Sequence, residues 1–206
     1  MQTTSHLLMI RPASFGFNPE TAQTNVFQKK ASDFSEEIHK KALAEFDYMV
    51  ELLKKEDLNV MVIDDTLEPY KPDAIFPNNW ITTHQEGVIV LYPMQAPNRR
   101  VERRTDIVEI LQKQYKVHNV MNLSHYESKG KFLEGTGSMI FEHTHKIAYA
   151  SLSSRTSTEV LDRFCNSMRF QPITFQALDE FDKPIYHTNV LMSVGDKFAI
   201  ICMDAI

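Results

Sequence analysis

Three short polar stretches carry the residues able to do chemistry. They are Asp73-Ala-Ile-Phe-Pro-Asn-Asn79, Phe132-Leu-Glu134-Gly-Thr-Gly137 and Tyr186-His187-Thr-Asn189. Each stands just ahead of a strand pair. Carboxylates, an imidazole and carboxamides at equivalent places of a repeat share one pocket if the repeats surround an axis. Such a set can move protons and grip a polar substrate. Taken singly, each has an ordinary explanation: a histidine before a strand is often a surface or capping residue, and Glu134-Gly-Thr-Gly137 could be a tight turn. The recurrence carries the argument. That glycine turn lacks the strand–loop–helix setting of a phosphate loop. His143 and His145 alternate in a hairpin turn with no ligand cluster beside them, so no metal is expected. Cys165, next to Phe164 on a helix, reads as a small buried hydrophobe. Cys202 ends an apolar strand with no base near it in sequence, so neither thiol is expected to be a nucleophile.

The elements that hold these residues repeat. The pattern predicts a strand at His6–Arg11, a polar loop to Lys30, and a helix capped by Ser32 or Asp33 with Ile38, Ala42, Phe46, Met49 and Leu53 as its apolar stripe. Asn59–Ile63 is the next strand. A hairpin follows (79–83, 88–92), then one helix over Pro97–Tyr115 and a closing strand, Lys116–Leu123. The second copy runs through Ser138–Glu142 and Lys146–Ala150. Its helix opens on the capping-box pattern Thr156-Ser-Thr-Glu159, and Pro172–Leu178 closes it. A third hairpin, Val190–Val194 and Phe198–Cys202, has no helix after it. The unit is strand–turn–strand–helix–strand with a period of about 50–60 residues, which suggests a radial array; an ordinary α+β sheet is the alternative. The missing third helix leads to the expectation of one α/β domain over 1–206, C-terminally incomplete, with apolar edges exposed.

Composition narrows the class. The 206 residues are 43% hydrophobic and 24% charged, which excludes a mainly disordered chain. Lys+Arg 22 against Asp+Glu 27 gives a net charge of −5 and argues against nucleic-acid binding. No apolar run reaches the roughly 18 residues of a membrane span, and Met1–Arg11 has no signal-peptide pattern. Two cysteines and ten methionines suit a reducing cytoplasm.

The same stretches also carry a resemblance. Asp73–Trp80, Phe132–Gly137, Leu152-Ser-Ser-Arg155-Thr156 and Tyr186–Val190 resemble the guanidino-group-modifying (pentein) superfamily, which includes arginine deiminases, dimethylarginine dimethylaminohydrolases and amidinotransferases. Leu8–Gly16, Asn18–Ala22 and Leu91–Met94 through Asn98–Arg104 are similar to its citrulline-utilisation hydrolase branch. The resemblance runs from Leu8 to Ile206 and implies a five-module α/β propeller, of which roughly three to four ββαβ modules would be present here. It implies Glu134 as the carboxylate that holds and deprotonates the substrate's nitrogens and His187 as general acid/base. Arg99 and Arg155 would hold the substrate's carboxylate, and Asp73 would meet its amino-acid end. For Arg99 a solvated helix start within a basic run remains the alternative. The nucleophilic cysteine of the family would lie beyond residue 206, which makes 1–206 alone inactive. No cofactor is implied.

One departure bears on substrate. Guanidinium-binding relatives place aspartate at the Asn79 position and often at Asn189. A carboxamide does not compensate a cation, but it exchanges hydrogen bonds with a neutral ureido group. With Asn78, Asn79 and Asn189 as binding residues, the expected substrate is a small citrulline-like amino acid. An amidinotransferase, an arginine deiminase or dimethylarginine hydrolase, and a non-catalytic binder of the same fold are the alternatives. Homo-oligomerisation stays open.

Overall fold

The computed structural model describes residues 2–22, 24, 25, 28 and 35–206. The expected caps Ser32 and Asp33 lie outside these residues. Along the chain run β1 (His6–Arg11), α1 (Pro19–Ala22), α2 (Ser35–Lys55), β2 (Asn59–Asp64), β3 (Ile81–His84) and β4 (Val88–Leu91). Then come α3 (Pro97–Arg100), α4 (Thr105–Gln114), β5 (Asn119–Asn122), α5 (Gly135–Ser138), β6 (Ile140–Glu142) and β7 (Ile147–Ser151). The last elements are α6 (Thr158–Met168), β8 (Gln171–Phe175), β9 (Met192–Val194) and β10 (Ala199–Ile201). Short 3-10 turns lie at Pro77–Asn79, Ser124–Lys129, Thr188–Val190 and Met203–Ala205.

The repeat is present in the pairing. β3 and β4 are antiparallel and β4 pairs with β5 in parallel; β6, β7 and β8 repeat that order. Parallel neighbours need a crossover, and the helices between them supply it. β1 and β2 are parallel, the half-unit around α2, and β9–β10 is a hairpin alone. The described chain forms two compact units, each discontinuous in sequence. One comprises Thr4–Pro77 and Ala96–Ile107; the other comprises Asn78–Gln95 and Val108–Ile206 with Gln2 and Thr3.

The larger unit is built on Phe141, Phe164 and Phe170, whose ring centroids lie 4.9–5.9 Å apart. Leu133, Met139, Leu161 and Tyr92 are fully buried in the same core. Leu133 and Met139 bracket the turn that carries Glu134. Burying each contributes roughly 1.5–3 kcal/mol and fixes both ends of that turn. The smaller unit packs Phe46 and Val50 of α2 with Val60, and Leu53 joins them from the next turn.

Four local expectations change. The buried stripe of α2 runs through Val50, and Met49, one position away at the stripe's edge, is 53% exposed. The single helix over Pro97–Tyr115 is broken between Arg100 and Thr105. Glu102 turns to pair with Arg99, and Arg104 is drawn to Asp106 and the Asp64 carbonyl. The capping box does not form: Ser157 is the N-cap without a side-chain bond, and Glu159 pairs with Lys131. In the last hairpin Phe198, Ile200 and Met203 are exposed as expected, but Leu191 and Met192 are buried beside Ala177.

Candidate active site

Local packing brings Glu134, Arg155, His187 and Asn79 together in the larger unit. Glu134 precedes α5 and is fully buried. Its backbone N–H donates to Ser138 Oγ (2.9 Å), and that hydroxyl donates to the Arg155 carbonyl (2.9 Å). Thr188 Oγ1 donates to the Ser138 carbonyl (2.6 Å) and accepts the Ser151 N–H (2.8 Å). Ser138 and Thr188 thus knot three chain segments into one scaffold: the Glu134 turn, the Arg155 loop and the His187 turn.

The carboxylate of Glu134 is met from three sides. Oε1 accepts the Gln95 backbone N–H at 3.0 Å. Oε2 lies 2.8 Å from His187 Nε2 and accepts Arg155 Nη1 at 3.3 Å. Arg155 is buried, and its guanidinium also lies over the Tyr186 ring, 4.7 Å from the centroid.

Two glycines allow the close approach. Gly135 has φ +44°, and a Cβ there would collide with the Asn78 carbonyl. A Cβ at Gly137 would collide with Asn79 Nδ2 and lie 2.8 Å from His187 Cε1 and 2.9 Å from Nδ1. Asn79 and His187 therefore flank one glycine, and the imidazole edge away from Glu134 stays uncovered by side chain at that position. In the tautomer that places the proton on Nε2, toward Glu134, Nδ1 is the ring's acceptor nitrogen. Asn78 is half-buried, and its carbonyl lies 3.5 Å from Thr136 Oγ1. Asn189, two residues past His187, is exposed.

The smaller unit holds the other two expected residues. Asp73 Oδ2 accepts from Asn18 Nδ2 (2.7 Å) and Thr21 Oγ1 (3.4 Å). Asn18 caps α1: its Oδ1 accepts the Glu20 N–H, and Pro19 follows it at the first helical position. Arg99 is 3% exposed, which excludes the solvated helix start. Its Nε and Nη2 each donate to Glu102 at 2.9 Å, so the edge of the guanidinium suited to a carboxylate is filled by one from this chain. The same Nη2 reaches the Asp73 and Phe76 carbonyls at 3.3 Å.

Sequence reasoning missed Gln95, Glu102, Ser138 and Thr188. Ser138, four residues after Glu134, and Thr188, beside His187, were legible only as neighbours of singled-out residues. Gln95 acts through its backbone. Glu102 was hidden in the basic run Arg99–Arg104.

Cys165 is buried in the core, and its thiol is pushed up to about 12 by desolvation, with Asp162 adding to the effect. Cys202 is exposed. Among the described residues no group of three or more His, Cys, Asp or Glu could hold a metal ion, and no helix is long and apolar enough to cross a membrane.

The family model for N,N dimethylarginine dimethylhydrolase, eukaryotic, matches residues 11–206. The chain belongs to this family. The family lies in the pentein superfamily that modifies guanidino groups. Comparison with curated proteins returned no match. Among solved structures, ArgZ, an arginine dihydrolase from the ornithine–ammonia cycle in cyanobacteria, is 13% identical with a TM-score of 0.65, over 97% of this chain and 26% of that one. The N-terminal domain of ArgZ bound to substrate gives a TM-score of 0.69 at 14% identity, over 97% of this chain and 69% of that chain. A dimethylarginine dimethylaminohydrolase adduct gives 0.65 at 15%, over 95% and 68%. At these identities the likeness shows the mixed α/β pentein fold. This chain spans about a quarter of full-length ArgZ.

Proposed function

We propose that residues 1–206 carry the acid–base and positioning residues of a hydrolase that cleaves a C–N bond of a guanidino or ureido amino acid through a covalent cysteine intermediate. The buried 2.8 Å contact between Glu134 Oε2 and His187 Nε2 carries this reading. In this reading a thiolate attacks the planar carbon of the substrate, and the C–N bond to the departing amine breaks as His187 gives that nitrogen its proton. His187 then takes a proton from water, the resulting hydroxide attacks the carbon, and the C–S bond breaks to return the thiolate. Glu134, already met by three donors, acts first on His187 by stabilising the imidazolium. Cys165 is ruled out as the thiolate by its burial and raised pKa; the thiolate is proposed to lie outside residues 1–206.

Asn79, beside Gly137 and His187, favours a neutral ureido group over a guanidinium. A citrulline-like substrate is therefore proposed, with N-methylated arginine, which the family's name supports, as the second reading. The test is to assay the full-length protein against citrulline, N,N-dimethylarginine and arginine, with and without Asn79→Asp. Citrulline turnover that shifts toward the guanidino substrates in Asn79→Asp supports the first reading. Turnover of dimethylarginine unaffected by Asn79→Asp supports the second. No turnover of any of the three, with His187→Ala binding them like the parent, would leave a binding protein.

A further inference from the structure

We infer that Tyr186 is a positioning residue, whose single aromatic ring holds Arg155 and His187 in their separate places against one oxygen of Glu134. Its ring lies 4.6 Å from the His187 ring, centroid to centroid, and the Arg155 guanidinium stands over it at 4.7 Å. Both of those side chains converge on Oε2 of Glu134, His187 at 2.8 Å and Arg155 at 3.3 Å. The four side chains therefore form a closed circuit.

Two donors on one oxygen compete. A guanidinium prefers a short two-point grip on a carboxylate, and such a grip here would take Oε2 from the imidazole. The negative face of an aromatic ring gives a guanidinium a second place to rest. Arg155 stands over that face with a long single contact to Glu134, which leaves the short contact to His187. Ser153 fixes the spacing of the two backbones: its hydroxyl donates to the Tyr186 carbonyl (2.8 Å) and accepts the Arg155 N–H (3.1 Å). The ring is set where the guanidinium arrives.

Without the ring, Arg155 closes on Glu134 and its charge moves toward His187. Among the described residues the charged groups in contact with this circuit are Glu134, which meets the imidazole, and Arg155, which meets the same Glu134 oxygen, and both changes disfavour the imidazolium. The inference deepens the reading of Glu134 and His187 as the acid–base pair, but its test needs no turnover, so the two can fail separately. In the protein with isotope-labelled histidine, the His187 titration midpoint should fall by about one pH unit in Tyr186→Leu. Tyr186→Phe, which keeps the ring, should restore it. An unchanged or raised midpoint in Tyr186→Leu, or equal shifts in both variants, would overturn the inference. Should Tyr186→Leu not fold, the parent protein decides: Arg155 side-chain protons must show the upfield shift of a group over a ring, and their absence from that position sinks the proposal.

Discussion

Arg99 and Glu102 meet along two parallel hydrogen bonds, Nε to Oε1 and Nη2 to Oε2, both 2.9 Å. Both side chains are sealed from solvent. The pair is neutral, and Nη2 also holds the carbonyls of Asp73 and Phe76. It therefore staples the segment carrying Asp73 to the turn that interrupts the expected helix. Asp73 shares the same cation: Arg99 Nε lies 3.7 Å from its Oδ2.

Breaking that pair from one side strands a buried charge. Glu102→Leu should cost about 3–5 kcal/mol, and Arg99→Met should cost a similar amount. The double variant should recover much of either loss, because neither member of the pair is left buried without the other. Urea unfolding of the three variants measures this. A double variant as unstable as the sum of the singles would show that the pair contributes through something other than mutual compensation.

Gly137→Ala tests the close approach at the other cluster. The new methyl would meet Asn79 Nδ2 and His187 Nδ1, both held by a packed turn. One of them must shift. On the proposed function, turnover should fall by at least about 100-fold, the usual worth of a positioned acid–base group. Stability should fall by only about 1–3 kcal/mol, as for other small overpacking changes. Turnover near the parent level would mean that the edge of His187 facing Gly137 is not where protons move.

Much of this architecture was legible in the sequence, and the exceptions share a cause. Strand positions such as His6–Arg11 follow from apolar patterning, and both ββαβ units follow from its repetition. Glu134 and His187 stood out because they recur at equivalent places. Patterning is blind to partners, however. Arg99 in sequence is one of four arginines in a run, and only the fold shows that Glu102 fills its fork. Glu159 suited a capping box until Lys131, distant in sequence, was brought beside it. Val50 replaces Met49 in the stripe of α2 because the strands it packs on set the stripe's centre.

A third test concerns His84, which is enclosed by Phe141, Phe164 and the hydroxyl of Thr82, 2.8 Å from its Nε2. Burial, the largest cause, pushes its pKa down to about 4; Glu86 opposes this, and His143 and Lys146 add to it. The unfolded chain binds the proton near 6.5, so protonation favours unfolding. The stabilising contribution is complete above pH 6.5, declines as pH falls, and is gone by about pH 4. The full loss should be about 3 kcal/mol, of which about 2 kcal/mol falls between pH 7 and pH 5. Unfolding free energies at pH 7 and pH 5 should differ less in His84→Gln than in the parent. An equal difference in both would assign the pH dependence to other groups, His143 first, whose pKa is lowered in the same direction by burial.

The two thiols should separate cleanly by reactivity. Cys165 is buried in the same core as Phe164, with its pKa raised to about 12. At pH 7 only about one molecule in 10⁵ would carry the thiolate, the form that reacts. Cys202 is exposed at the start of the last 3-10 turn. An alkylating reagent should therefore modify one cysteine per folded chain, and Cys202→Ser should abolish that reaction. Cys165 should react only after denaturant is added. Residues 1–206 by themselves should turn over no citrulline, before or after alkylation, because Cys165 is buried with a raised pKa and the attacking thiolate is proposed to lie elsewhere. Alkylation-sensitive turnover by 1–206 would reverse that conclusion. The Cys202→Ser variant would then decide whether the exposed thiol is the attacking group.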